Sequence, residues 1–150
     1  MKHVTFITVV WGLMLPSIFS FHIQDCGSKA GSFTNVTISS CEGTDPVCVL
    51  KKNSSVTLDI YFTTSVTDNN VTAEVHGIIQ GLPIPWPLPD PNACHSSGLT
   101  CPLQPGNNYH YTATFPVLKS YPRIHLEVKW ELKNESGNDV VCALFPVRIM

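Results

Sequence analysis

Proline occupies every second position over one stretch of this chain, and few folds accommodate that pattern. The segment reads HGIIQGLPIPWPLPDP from His76 to Pro91, and Ile84, Trp86 and Leu88 lie between its prolines. In an extended backbone, alternate side chains point to opposite faces and alternate N–H groups to opposite edges, and proline has no N–H. One edge therefore lacks donors. This predicts a strand at the margin of a sheet, with its three large apolar side chains on one face.

A proline-rich loop that binds a proline-recognition module is an alternative interpretation of this segment. Polyproline II ligands repeat every three residues, whereas the prolines here repeat every two, which disfavours that alternative. Proline also protects edge strands without any ligand role, and this simpler interpretation stays open.

Alternation of apolar and polar residues recurs along the rest of the chain. The clearest case is residues 124–133, where every second side chain is large and apolar. The predicted strands are residues 34–39, 56–63, 71–76, 109–115, 124–133 and 141–149. Turn-forming residues separate them, and no segment has a convincing helical period. The pattern predicts an all-β antiparallel sandwich, but it does not show whether the interior is solid or holds a ligand.

The first twenty residues have the features of a secretory signal peptide. Lys2 precedes an apolar run from Val4 to Leu15, and small residues follow at Ser17 and Ser20. The run is too short to span a bilayer. We therefore predict cleavage after Ser20, a mature domain of residues 21–150, and secretion.

The predicted mature part contains six cysteines, and an even number in a secreted chain predicts disulfides. Cys41 and Cys48 are separated by six residues, as are Cys94 and Cys101. This spacing is typical of bridges within short loops and not of the tight pairs of a zinc site, which remains the less favoured alternative. Spacing leaves many pairings open. The two short separations favour local bridges, with Cys26 left to meet Cys142.

Four sequons for N-linked glycans are present, and each must face solvent if it is used. Their asparagines are Asn35, Asn53, Asn70 and Asn134. The strand alternation places Asn35 and Asn70 on polar faces, in agreement with this requirement.

No catalytic arrangement can be assembled from the sequence. The chain has no nucleophile elbow and no phosphate-binding glycine loop, and its histidines are scattered. Glu127, Lys129 and Glu131 are interpreted as one solvated strand face. With 9 basic and 11 acidic residues, charge is sparse and nearly balanced, which does not favour nucleic acid as a partner. No basic rim is evident. We predict a binding protein that needs no metal or cofactor.

Taken together, these features resemble the ML lipid-recognition family, most closely its soluble sterol-transfer proteins of Niemann-Pick type C disease. The resemblance covers essentially the whole predicted mature chain. The residues that carry it are Asp25-Cys26-Gly27-Ser28, His76-Gly77, Gly81 to Pro89, Cys94 to Pro102, Tyr109, Tyr111, Phe115-Pro116-Val117, Tyr121-Pro122, Trp130 and Cys142. The run from Asp90 to His95 is also similar to the group 2 mite allergens of this family.

The resemblance implies an immunoglobulin-like sandwich whose two sheets part around a lipid cavity. It implies disulfides Cys26–Cys142, Cys41–Cys48 and Cys94–Cys101. The gate of the lipid pocket would consist of Trp86, Val117 and Tyr121. The deeper pocket residues would be Ile38, Leu50, Ile60, Phe62, Ile84, Phe115, Ile124, Leu126 and Trp130. The segment His76, Gly77, Ile78 and Ile79 would form an apolar knob that meets a membrane or a receptor.

Three positions depart from the sterol carriers of the family. Trp86 replaces the usual phenylalanine of the gate, Gln80 replaces an apolar residue in the knob, and Ala143 replaces a bulky aromatic. These changes alter the gate and the cavity, so the lipid handled can differ from cholesterol.

The function implied by the resemblance is that of a monomeric carrier, secreted or in lysosomes, that binds a sterol and delivers it to membranes or a membrane partner. One alternative is an extracellular carrier of fatty acids or semiochemicals in an arthropod. Another is an innate-immune module that presents a bacterial lipid, which a basic rim would favour.

Overall fold

The computed structural model describes residues 5, 8–12, 22–41, 46–95 and 97–150. They form the strands β1 Gln24–Asp25, β2 Gly31–Ile38, β3 Cys48–Leu50, β4 Ser54–Thr64, β5 Val71–Ile79, β6 Leu82–Pro85, β7 Asn108–Val117, β8 Ile124–Asn134 and β9 Asp139–Ile149. The described residues include no helix that could cross a membrane. The predicted signal peptide lies mostly outside these residues and stays a prediction.

The strands form two sheets. The larger has the order β1-β9-β8-β5-β6, with β3 also paired to β9, and the smaller has the order β2-β4-β7. All pairs are antiparallel except β3 with β9, which is parallel. One hydrophobic core contains side chains of both sheets, including Leu58 and Phe62 of the smaller and Val128 and Trp130 of the larger. The predicted all-β sandwich is confirmed.

Strand β4 shows why the alternation predicts the register. Its apolar residues Val56, Leu58, Ile60 and Phe62 are at most 1% exposed. The residues between them are exposed or half-buried. A shift of one residue would exchange these two sets, so burial of the apolar set holds the register.

The proline strand β6 ends the larger sheet, as predicted, and pairs with β5 alone. Trp86 N–H, just beyond β6, donates to Val75 O at 2.9 Å, and Ile84 stands opposite Gly77. The backbone N–H groups at even positions therefore point toward β5, and the nitrogen atoms of the prolines lie on the opposite edge of the strand. Gln80 and Gly81 have φ of 51° and 80°, the positive values that a tight two-residue hairpin turn requires.

Three disulfides join the expected cysteines. Cys26–Cys142 ties the N-terminal strand β1 to β9 across 116 residues, whereas the other two each close a separation of 7. No cysteine is left free.

Candidate functional site

An apolar cavity of about 340 Å³ opens at one end of the sandwich, and we call it the mouth cavity. Its wall consists of Gly77, Ile79, Ile84, Pro85, Trp86, Pro87, Tyr121, Pro122, Ile124, Leu126 and Ile149. The β5–β6 hairpin supplies one side, and the segment leading into β8 supplies the other. Among these residues, only the Trp86 indole and the Tyr121 phenol carry polar side-chain atoms. The cavity suits a mostly hydrocarbon ligand with a small polar end.

Trp86 is held in place by two other aromatic rings. Its ring centre lies 5.8 Å from that of Phe115 and 5.6 Å from that of Tyr121, at interplanar angles of 78° and 89°. Such edge-to-face pairs stabilise by about 0.5–1.5 kcal/mol each, beyond area burial. The ring therefore has a defined position, and moving it is not prohibitively costly.

A much smaller void, about 10 Å³, lies behind Trp86 between the sheets. Its wall consists of Val75, Trp86, Leu88, Phe115, Val128 and Trp130. Because Trp86 belongs to both walls, its ring separates the mouth cavity from the interior. Ile84, Trp86 and Leu88 follow one another from the mouth inward, which agrees with the single apolar face expected of them.

The twelve predicted pocket residues fall into three groups. Ile84, Trp86, Tyr121, Ile124 and Leu126 line the mouth cavity, and Phe115 and Trp130 line the inner void. The remaining five, Ile38, Leu50, Ile60, Phe62 and Val117, are buried in the core and line neither space. That these five residues line the lipid pocket stays a prediction.

Four mouth residues were missed by sequence reasoning. Pro85 and Pro87 were assigned to the face opposite Trp86, and Pro122 and Ile149 were not assigned to the pocket. The ladder ends at Pro85. Beyond it the chain leaves the sheet, so strict alternation no longer decides the position of Pro87, whereas Pro85 is the last residue of β6 itself.

The predicted knob lies on the β5–β6 hairpin beside the mouth cavity. Its residues alternate: Gly77 and Ile79 line the cavity, whereas His76 and Ile78 do not. A Cβ on Gly77 would lie 2.9 Å from Leu126 Cδ1, so a larger residue would push that side chain. The docking role of the knob stays a prediction.

The ML domain profile matches residues 20–149 of this chain. This chain belongs to the ML family. NPC intracellular cholesterol transporter 2 homolog a of Drosophila melanogaster is 44% identical over 130 residues, 87% of this chain and 88% of the fly protein. A crystal structure of a Niemann-Pick type C2 protein from the Japanese carpenter ant has a TM-score of 0.84 at 36% identity, covering 87% of this chain and 100% of the ant chain.

The mite group 2 allergen Der f 2 of Dermatophagoides farinae is also similar to this ML domain. It is 30% identical over 101 residues, 67% of this chain and 66% of the allergen. Both parts of the resemblance inferred from the sequence are thereby confirmed.

Basic residues gather at the mouth end of the ML domain, which sequence reasoning missed. Lys119 and Arg123 flank the segment that contains Tyr121 and Pro122. Lys51 and Lys52 form the turn before β4, and Lys52 N–H donates to Met150 O at 2.9 Å, next to the mouth residue Ile149. The four basic side chains form no ion pair with any described acidic residue. We call these four residues the basic rim.

Glu131 is only 5% exposed, so the interpretation of its strand face as solvated is wrong at this position. Its carboxylate lies 3.7 Å from Nζ of both Lys129 and Lys133, whose side chains help to cover it. Partial burial and the neighbouring Glu131 raise the pKa of Asp139 to about 7. Ligand atoms of Glu131, Asp139 and Cys142 lie within 4.8 Å of one another. The Cys142 sulfur is bonded to Cys26, so only two carboxyl groups beside lysines remain, a poor set for a metal ion.

Proposed function

We propose that this ML domain binds a sterol, or a lipid of similar size, through the mouth cavity and carries it to membranes. The observation that supports this most directly is the Trp86 ring, which forms both the rear wall of an apolar opening and the front wall of a void between the sheets. A relative at 44% identity is named as a cholesterol transporter homologue.

In the proposed mechanism the lipid enters as Trp86 swings away from Phe115 and Tyr121. Removing about 300–400 Å² of apolar ligand surface from water contributes roughly 8–10 kcal/mol. Separating two edge-to-face ring pairs costs only about 1–3 kcal/mol. The gain exceeds this cost, and the remainder offsets ligand immobilisation and side-chain rearrangement in the core.

The sheets separate most easily beside β6. Its outer edge has prolines in place of N–H donors, so no further strand bonds to it. The lipid widens the space between the sheets by displacing side chains such as Leu88, which already borders the inner void. The donor-free edge thus lies beside the entrance.

The polar end of the lipid stays at the mouth. The indole N–H of Trp86 and the hydroxyl of Tyr121 are the polar side-chain groups of the cavity wall, and both residues are half-buried. A single hydroxyl, such as that of a sterol, can bond there while the hydrocarbon part enters. A wholly apolar interior then needs no other partner.

Delivery uses the mouth end of the molecule. Leu82 and Ile84 of the hairpin are 67% and 47% exposed, and the basic rim lies at the same end. Apolar side chains enter the acyl boundary, and each Lys or Arg adds about 1 kcal/mol near an anionic membrane surface. We propose that the domain docks mouth-first and acts as a monomer.

A secretory route, with the lysosome as a further destination, accompanies this function. The apolar leader and the three disulfides support it, because disulfides persist in oxidising compartments. N-terminal sequencing of protein from the culture medium tests it, with Phe21 or a residue nearby expected at the new terminus.

A competition assay tests the ligand class. Labelled sterol bound to the purified domain is challenged with unlabelled sterol, fatty acid or lipopolysaccharide, and native mass spectrometry identifies the co-purifying lipid. We expect displacement by sterol at micromolar concentration or below. Preferential displacement by fatty acid or by lipopolysaccharide would support the corresponding alternative, and no binding of any of them would leave a purely structural sandwich.

A further inference from the structure

The four sequons differ in how their asparagine side chains are held. Asn35, Asn53 and Asn70 are exposed, and their side-chain amides bond to none of the residues that the structure describes. Asn134 is half-buried at the end of β8, and its side-chain amide takes part in three hydrogen bonds. Only Asn134 therefore has a structural use for the group that a glycan would modify.

The oxygen of the Asn134 side chain closes the turn between β8 and β9. It accepts hydrogen bonds from the backbone N–H groups of Ser136 and Asn138, each at 3.1 Å. The backbone N–H of Asn134 also donates to Asn138 O at 3.0 Å. Gly137 supplies the positive φ, 78°, that the turn needs. These bonds fix the orientation of the amide on its oxygen side.

The nitrogen of the same amide, the atom that would carry a glycan, faces a buried carboxylate. Asn134 Nδ2 donates to Asp68 Oδ1 at 3.1 Å, and Asp68 is 0% exposed. The other carboxylate oxygen accepts from Thr64 Oγ1 at 2.6 Å. No water replaces a donor lost at a buried carboxylate, so each of these donors matters to stability.

We infer that glycans are attached at Asn35, Asn53 and Asn70, and that Asn134 stays unmodified because its amide is the partner of Asp68. Attachment transfers an oligosaccharide from a diphosphate-linked lipid: Nδ2 bonds to the sugar C1, Nδ2 loses one proton, and the lipid diphosphate leaves. At Asn134 the sugar would occupy the half-buried space facing Asp68, so chains that carry it do not reach the native fold. The inference rests on the proposed secretory route, where such donors occur.

Site-resolved mass spectrometry of the secreted full chain from insect cells tests the inference. Removal of glycans by peptide N-glycosidase in ¹⁸O water converts each glycosylated asparagine to labelled aspartate. We expect label at Asn35, Asn53 and Asn70 and none at Asn134. Label at Asn134 in folded, secreted protein overturns the inference, and an unlabelled site among the other three overturns it for that residue.

Two variants separate the sequon from the hydrogen bonds. Ser136→Ala destroys the sequon but keeps the Asn134 amide and the backbone N–H of residue 136. The mass of attached glycan and the melting temperature should therefore not change. Asn134→Gln moves the amide away from Asp68. The mass of attached glycan should not change, but the melting temperature should fall by about 3–8 °C. Loss of one glycan in Ser136→Ala, or an unchanged melting temperature in Asn134→Gln, contradicts the inference.

The full chain is also expressed with a substitute secretory signal in front of it. This second expression separates the test of the secretory route from the test of glycosylation. If only this form is secreted and it shows the expected label, the proposed localisation fails while the inference about Asn134 stands.

Discussion

Among single residues, Trp86 has the largest expected effect on lipid binding, since its ring contacts both the mouth cavity and the inner void. Trp86→Ala should weaken sterol binding about tenfold, equivalent to about 1.4 kcal/mol of lost apolar contact, mainly through faster dissociation. Trp86→Phe keeps a ring at the gate and should remain within about threefold of the unmodified protein. Stopped-flow dissociation of a fluorescent sterol measures both, and equal rates in the alanine variant and the parent would exclude the gate.

Asp139 should make the stability of the protein depend on pH. Its pKa rises from 3.8 to about 7 in the folded state, first because of partial burial and then because of Glu131. As pH rises, the unfolded chain therefore loses the Asp139 proton at a lower pH than the folded chain does. The stability that protonated Asp139 contributes to the folded state is complete below about pH 4 and is lost between about pH 4 and pH 7. The charged neighbours Lys129 and Lys133 oppose the shift but do not cancel it.

Asp139→Asn removes this titration. The variant should be more stable than the parent at pH 7.5, with a flatter dependence of the free energy of unfolding between pH 4 and pH 7. Urea denaturation across that range measures it. Glu127→Gln, which alters an exposed carboxyl on β8, is the control and should keep the parental slope. Parallel curves for Asp139→Asn and the parent would show that Asp139 is not responsible.

Among the elements, β6 shows how one strand both ends a sheet and borders an entrance. Its outward positions hold Pro83 and Pro85, so a second molecule finds no N–H to bond. The double substitution Pro83→Thr with Pro85→Thr restores two donors in a strand-favouring residue and should cause dimers or larger aggregates. Light scattering after size-exclusion chromatography detects them. The control, Pro89→Thr, changes a proline outside β6 and should stay monomeric. A double variant that also stays monomeric would show that the prolines of β6 have no protective role.

For the molecule as a whole, Cys26–Cys142 should contribute more to stability than the other bridges. It spans 116 residues, against 7 for Cys94–Cys101. In the chain-entropy model, these loop lengths correspond to roughly 5 and roughly 2.5 kcal/mol. Replacing each pair by alanine and measuring urea unfolding should give losses in that order. Equal losses would show that strain or residual structure in the unfolded chain outweighs loop length.

The basic rim should make lipid delivery sensitive to salt. At 0.1 M ionic strength, charges interact over about 10 Å, and at 1 M over about 3 Å. Transfer of sterol to anionic vesicles should therefore slow as salt rises, whereas transfer to neutral vesicles should change little. Glutamine at Lys51, Lys52, Lys119 and Arg123 should remove the salt dependence but leave sterol affinity unchanged. Persistence of the salt dependence in this variant would place the membrane contact elsewhere.

Much of the architecture could be predicted from the sequence because the relevant forces act locally. Alternation along β4 and β8 gives their buried faces directly, since successive side chains of a strand point to opposite sides. The prolines of β6 remove donors from one edge in any fold that makes them extended. Strands β1 and β3 were missed because two and three residues are too few to show a period.

Other features depend on residues that are distant in sequence and meet only in the folded chain. Four such features are the place of Trp86 between the mouth cavity and the inner void, the burial of Glu131, the position of the basic rim and the bond from Asn134 to Asp68. Each requires knowledge of which strands are neighbours. Periodicity assigns a side chain to a face, but packing decides whether that face is filled, covered or wet. The sequence by itself therefore determined the long strands, the donor-free edge and the lipid-binding family, while tertiary contacts decided the size of the cavity and the burial and partners of each polar group.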